Sequence, residues 1–129
     1  MITNTLHKGE RLRGEQVISY LFDHGNIFFQ APYKVCWLKI PETGLFPSRF
    51  AVSVPKRRFK RAVKRNLLKR RTREVFRTNK QILNTAISDG KQVHLLVIYA
   101  YDKLLPYAEL EKAMRKILQR IARQYVESV

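Results

Sequence analysis

Hydrophobic residues recur along the chain at two periods, and the switches between them mark its elements. From Gly14 to Asp23, Val17, Ile18, Leu21 and Phe22 fall at i, i+1, i+4 and i+5, which predicts a short helix. His24-Gly25-Asn26 ends it, with Gly25 suited to the left-handed position after a helix. Residues 27–40 then alternate as a long strand or hairpin arm. Tyr33, Val35 and Trp37 share one face, and Lys34, Cys36 and Leu38 share the other. Pro41, Gly44 and Pro47 mark the turn that follows. The next strand, 49–54, sets Phe50, Val52 and Val54 against the small pair Ala51 and Ser53. That small face admits a close neighbour, either a helix or a strand of RNA, and helix packing is the commoner solution.

After Pro55 the period lengthens. Leu68, Thr72, Val75 and Phe76 fall at i, i+4, i+7 and i+8, the repeat of a core-facing helix. The stripe continues through Ile82, Leu83, Ala86 and Ile87, so the helix is expected to reach Ser88, with a kink or a break near residues 78–80, before Asp89-Gly90 stops it. Residues 93–99, VHLLVIY, are almost uniformly apolar, as in a central strand covered on both faces. Beyond a turn at 102–106, Tyr107, Leu110, Met114, Ile117, Leu118, Ile121 and Tyr125 predict a last helix. Glu109 and Glu111 near its start and Arg120 and Arg123 near its end suit the helix dipole. Residues 1–13, with His7, Lys8, Arg11 and Arg13, show no period and read as a flexible basic arm. The predicted order is helix, two or more strands, long helix, strand, helix. It describes a compact α/β sandwich with a β-α-β unit, whose crossover is right-handed by default.

At 129 residues, with 45% hydrophobic content, the chain has the size of one globular domain. Its charge is what departs from the ordinary. Lys and Arg number 26 against 10 acids, a formal net charge of +16, which points to a polyanionic partner. The segment 56–77, KRRFKRAVKRNLLKRRTREVFR, holds 12 of those cations and a single acid, Glu74. Asn66, Arg70, Arg73 and Arg77 repeat opposite the apolar stripe, forming a continuous cationic ridge. A merely solvated helix face mixes signs so that i, i+4 pairs support it. Here like charges crowd successive turns, so the helix reads as a nucleic-acid-binding one, better suited to folded RNA than to DNA. Lys56, Arg57, Arg58, Lys60 and Arg61 stand at its entrance, and Lys64, Arg65, Lys69, Arg70 and Arg73 continue along it. Phe22, Tyr33 and Trp37 are either core or an open platform for unpaired bases; their spacing admits both.

Little in the chain suggests catalysis. His7, His24 and His94 are scattered, the acids are dispersed, and no Gly-rich phosphate loop or Ser-His-Asp pattern occurs. No catalytic residue and no metal site is expected. The lone Cys36 excludes an internal disulfide and reads as a small core residue. The N-terminal residues lack the apolar core of a signal peptide, and no apolar run is long enough to span a bilayer, so a soluble, cytoplasmic protein is expected.

Residues 62–76, AVKRNLLKRRTREVF, resemble A-V-x-R-N-R-x-K-R-x-x-R-E-x-F, the signature of the bacterial ribonuclease P protein family. The matching positions are Ala62, Val63, Arg65, Asn66, Lys69, Arg70, Arg73, Glu74 and Phe76. RFAVSVPKR at 49–57 and RLRGEQVISYLFDHG at 11–25 are similar to the family's leading strand and first helix. Leu67 departs from the Arg-Asn-Arg core, and Arg71 is basic where an apolar residue is usual. The resemblance implies an α+β two-layer sandwich like domain 2 of ribosomal protein S5, a small mixed sheet packed by helices with a left-handed β-α-β crossover. It also implies an accessory subunit, one per RNA, that binds a catalytic RNA using Mg2+ and holds the 5′ leader of precursor tRNA. Under that resemblance the RNA-binding set is the basic one above, Arg77 included. The leader cleft is then lined by Arg11, Ile18, Phe22, Tyr33, Cys36 and Trp37. Two alternatives remain on the residues alone: a structural RNA-binding protein of ribosomal type, and a metal-dependent nuclease acting unaided.

Overall fold

The structure is a computed structural model that describes residues 8–41 and 44–127. After a 3-10 turn at Lys8–Glu10, helix α1 spans Glu15–His24, strand β1 Asn26–Gln30 and strand β2 Tyr33–Ile40. Strand β3 (Ser48–Ser53), helix α2 (Ala62–Asn79), the short helix α3 (Gln81–Asn84), strand β4 (Gln92–Tyr99) and helix α4 (Tyr107–Glu127) complete the order. The predicted hairpin arm is thus two strands, with Phe29 opposite Lys34 and Ile27 opposite Cys36. The sheet runs β1-β2-β4-β3, antiparallel except for the β3–β4 pair, which α2 and α3 connect as the expected β-α-β unit.

Strand parity sends the large side chains to one face. Tyr33, Val35 and Trp37 of β2, Phe50 of β3, and Val93, Leu95, Val97 and Tyr99 of β4 join one core cluster. Leu68, Val75 and Phe76 of α2 and Leu110, Met114, Ile117 and Ile121 of α4 cover them. The Phe50 and Phe76 rings lie parallel, 4.1 Å between centroids. Thr72 is the one polar member of the α2 stripe, and it is fully buried because its hydroxyl pairs with the Tyr33 hydroxyl at 2.7 Å. Burial raises the Tyr33 phenol above its ordinary pKa, so the pair stays neutral. On the opposite face, α1 lies across a smaller cluster of Leu12, Leu21, Cys36 and Leu96, with Ala51 packed against it. Of the small face of β3, Ala51 packs against this cluster, while Ser53 lies beyond it.

Three expectations need correction. The basic arm is not free from Lys8 onward: Glu10 and Leu12 are buried, and the chain runs beside β3 through a Leu12 N–H bond to the Phe50 carbonyl (2.8 Å). Arg49 Nε donates to the Gly9 carbonyl, fixing the same stretch. His7 lies outside the described residues. Second, Gly25 is extended (φ −78°) rather than left-handed. Space is what demands a glycine there: an added Cβ would meet the Leu21 carbonyl oxygen and stand 2.8 Å from Cys36 Sγ. Gly25→Ala is expected to cost about 1–3 kcal/mol, the usual overpacking penalty, and urea unfolding measures it. Third, the long helix stops at Asn79, at the expected break, and a separate short helix follows instead of one that reaches Ser88. The Thr78 hydroxyl and Asn79 amide donate back to the Glu74 and Val75 carbonyls, and side chains that do this compete with continued helix. Lys80 follows at the break, its ammonium 2.9 and 3.1 Å from the Glu10 carboxylate, both side chains buried.

Candidate nucleic-acid interface

The apolar stripe of α2 is spent on the core, so its other side must face outward. Asn66, Arg70 and Arg73 are exposed there, as the period requires, with Lys64 exposed and Lys69 half-buried beside them. Burial and the neighbouring Arg11 guanidinium both lower the pKa of Arg73. Arg11 reaches that position because its backbone bridges to Phe50, whose ring stacks on Phe76, one turn beyond Arg73. Arg11, expected in the leader cleft, thus stands beside the α2 ridge. Arg77 is less available: its guanidinium bonds Glu74, which holds that carboxyl below the usual carboxylate range.

The loop into α2 is built by its own cations. Phe59 is buried against Tyr99, and Arg65 Nη1 donates to both the Phe59 and Lys60 carbonyls at 2.8 Å. Arg58 pairs with Asp102 at 3.1 Å. With Phe59, Arg65 and Arg58 holding the backbone, Lys56, Arg57, Lys60 and Arg61 are left exposed at the helix entrance. The sequence assigned all of these to RNA; the geometry divides them into cations that shape the loop and cations that are presented.

The cleft residues fare differently. Ile18 and Phe22 lie on one flank of α1, half-buried and exposed respectively. Tyr33 and Trp37 are 0% and 3% exposed, on the far face of the sheet among the α2 and α4 side chains, so neither lines a cleft beneath α1. Cys36 is on the α1 face but sealed under the helix, its thiol 3.3 Å from the Leu21 carbonyl. Burial raises that thiol's pKa, which makes it inert. The open part of the face carries Phe29, Lys34, Ile98 and Ser53, paired in register across all four strands. Phe29 and Ile27, 54% and 52% exposed, were missed by the sequence reading. Their signal was the Phe28-Phe29 doublet, since alternation must turn one of two adjacent aromatics outward.

The other flank of α1 borders a separate hollow of about 350 Å3, lined by Val17, Tyr20, Leu38, Ile40 and His94. Tyr20 stacks on His24 at 4.1 Å, and His94 Nε2 lies 3.1 Å from Gln92 Oε1. Burial and Arg49 lower the His94 pKa, so it is neutral near pH 7. Among the described residues no three of His, Cys, Asp and Glu gather as a metal site, and no helix is long and apolar enough to cross a membrane.

Comparison with known proteins agrees with the cationic helix. The sequence model of the family described as Ribonuclease P matches residues 6–122. A Ribonuclease P protein component from Porphyromonas gingivalis is 38% identical over 119 residues, covering 91% of this chain and 86% of that one. Another, from Chlorobaculum tepidum, is 33% identical over 102 residues, 74% of this chain and 66% of the other. The RNase P protein of Thermotoga maritima superposes with a TM-score of 0.69 at 25% identity, over 86% of this chain and 96% of that chain. That of Staphylococcus aureus gives 0.70 at 20% identity, over 88% and 96%, a likeness of fold. A mixed four-stranded sheet packed by helices, an Arg-Asn cationic helix on its rim and these matches lead to one conclusion: the chain belongs to the ribonuclease P protein family.

Proposed function

We propose that this chain is the protein subunit of a ribonuclease P, binding the catalytic RNA through the α2 ridge and the 5′ leader of precursor tRNA beside α1. The observation that carries the reading is the exposed run of Asn66, Arg70 and Arg73, whose two arginines form no ion pair among the described residues. Arginine forks bind phosphate oxygens bidentately, so the ridge fits a folded RNA backbone. Mg2+ serves the RNA subunit, which supplies the hydrolytic chemistry. The protein's part is to screen repulsion between RNA segments and to hold the leader. The leader groove lies between the Ile18–Phe22 flank of α1 and the Phe29–Lys34–Ile98–Ser53 row. β3 passes directly from Ser53 into the basic loop, so this groove opens toward the cations that meet the RNA subunit.

The test is precursor-tRNA cleavage at low Mg2+ by a bacterial ribonuclease P RNA, with and without the protein, beside a protein-only control. Stimulation that shrinks as the leader is shortened is expected. Phe29→Ala is expected to reduce the leader-dependent part about tenfold, the worth of one stacked base. RNA binding without stimulation would favour a purely structural RNA-binding protein. Cleavage by the protein alone would overturn the subunit reading.

A further inference from the structure

A second cationic surface lies on α4, away from the ridge. Lys112, Arg115, Lys116, Arg120 and Arg123 follow one another with no acid between them. None of the five forms an ion pair among the described residues, whose pairs are Lys39–Asp89, Arg58–Asp102, Arg77–Glu74 and Lys80–Glu10. One flank of α4 runs beside β1, the edge strand of the sheet, and leaves two hollows in succession along the seam. The first, about 140 Å3, lies between Gln30 and the pair Lys112 and Lys116, with Glu109 at its N-terminal end. The second, about 290 Å3, is walled by Asn26, Phe28, Trp37, Arg120 and Gln124. Arg120 sits over the Phe28 ring at 4.0 Å. Trp37 is 3% exposed, and its indole N–H has no hydrogen-bond partner among the described residues. A buried donor without an acceptor is uncommon in a folded protein, and this one belongs to a side chain in the wall of the second hollow.

We propose that the β1–α4 seam is a second RNA-binding site, taking a single-stranded segment with phosphates along Lys112 and Lys116 and a base at the Arg120–Trp37 hollow. From Lys112 to Arg123 the helix rises about 16 Å, enough for several nucleotides of an extended strand. Cations along a groove with an aromatic wall and amide side chains are what an unpaired strand needs: point charges for phosphate, a ring or guanidinium for stacking, donors for base carbonyls. A duplex backbone would meet the outer helix face without entering the hollow. The opposite flank of α4 packs on α2, so the seam and the ridge are separated by a helix width, about 10 Å, and can be occupied together. The site is independent of the leader groove beside α1.

Trp37 is the only tryptophan in the chain, so its fluorescence reports the seam directly. The experiment titrates the full chain with labelled oligouridylate, following label anisotropy and Trp37 emission together. RNA is expected to change Trp37 emission, and the change is expected to persist in the ridge variant Arg70→Ala/Arg73→Ala. In Lys112→Ala/Lys116→Ala/Arg120→Ala it is expected to disappear, with binding to the remaining sites showing a log–log salt slope smaller by about 1.4, two single-strand phosphate contacts. Thermal unfolding of each variant confirms that the fold is intact. Trp37 emission that stays constant while anisotropy saturates would overturn the proposal. An equal response in the seam variant would do the same, and so would an equal response to polyglutamate, which would make the seam a site for acidic peptides.

Discussion

Arg70→Ala/Arg73→Ala is expected to weaken binding of ribonuclease P RNA by about a hundredfold or more at moderate salt, with the unfolding temperature unchanged. Each arginine is exposed and forms no ion pair among the described residues, so little in the fold depends on it. A charge-assisted hydrogen bond contributes about 1.5–3 kcal/mol, and two lost together give the expected size. The salt slope should fall by about 2, one unit per lost phosphate contact. In the parent protein, with roughly six to ten such contacts, affinity should drop about three to five orders of magnitude between 50 and 200 mM salt. A flat salt response would remove the ridge from the binding surface. Arg65→Ala separates the two kinds of cation, because it also releases the loop that its guanidinium ties at Phe59 and Lys60. It should lower stability as well as affinity.

Lys80→Ala is expected to cost about 3–5 kcal/mol of stability, a far larger effect than any ridge substitution. Its ammonium and the Glu10 carboxylate have side-chain exposures of 7% and 2%, so removing the cation leaves a buried negative charge. For a domain of this size the unfolding temperature should fall by roughly 10–20 °C. Glu10→Gln/Lys80→Met removes both charges and should recover most of the loss, because an apolar replacement of both partners avoids the stranded ion. A loss below about 1 kcal/mol in Lys80→Ala would mean that water reaches the pair. The pair joins residues 70 apart in sequence and pins the N-terminal turn to the α2–α3 break. Its loss should therefore also displace Arg11 from beside Arg73.

What the sequence made legible was local. The α2 stripe and its opposing ridge appear where the period places them, because a helix converts spacing directly into direction. Strand alternation likewise grouped Tyr33 with Val35 and Trp37. It did not say which face of the sheet would be deeper. One face receives only the ten residues of α1, whereas α2 and α4 together cover the other, so the large aromatic rings go there and leave the cleft. The Glu10–Lys80 pair was beyond reach for a different reason: nothing local in an exposed-looking arm signals a partner so distant. Gly25 illustrates a third kind of miss. A glycine after a helix suggests backbone conformation, while here the reason is space, taken by the Leu21 carbonyl of the helix itself and by Cys36 approaching from another element.

The two margins of the sheet are unequal. β3 is flanked by the N-terminal segment through the Arg11–Phe50 bridge, whereas β1 is the other margin and carries Ile27 and Phe29 exposed. Unpaired strand margins with apolar side chains invite a second copy to extend the sheet. Two copies meeting at β1 would bring their Lys112, Lys116 and Arg120 rows nearer, and like charges within about 8 Å repel with little screening in physiological salt. Like charge beside the open margin opposes pairing of that kind.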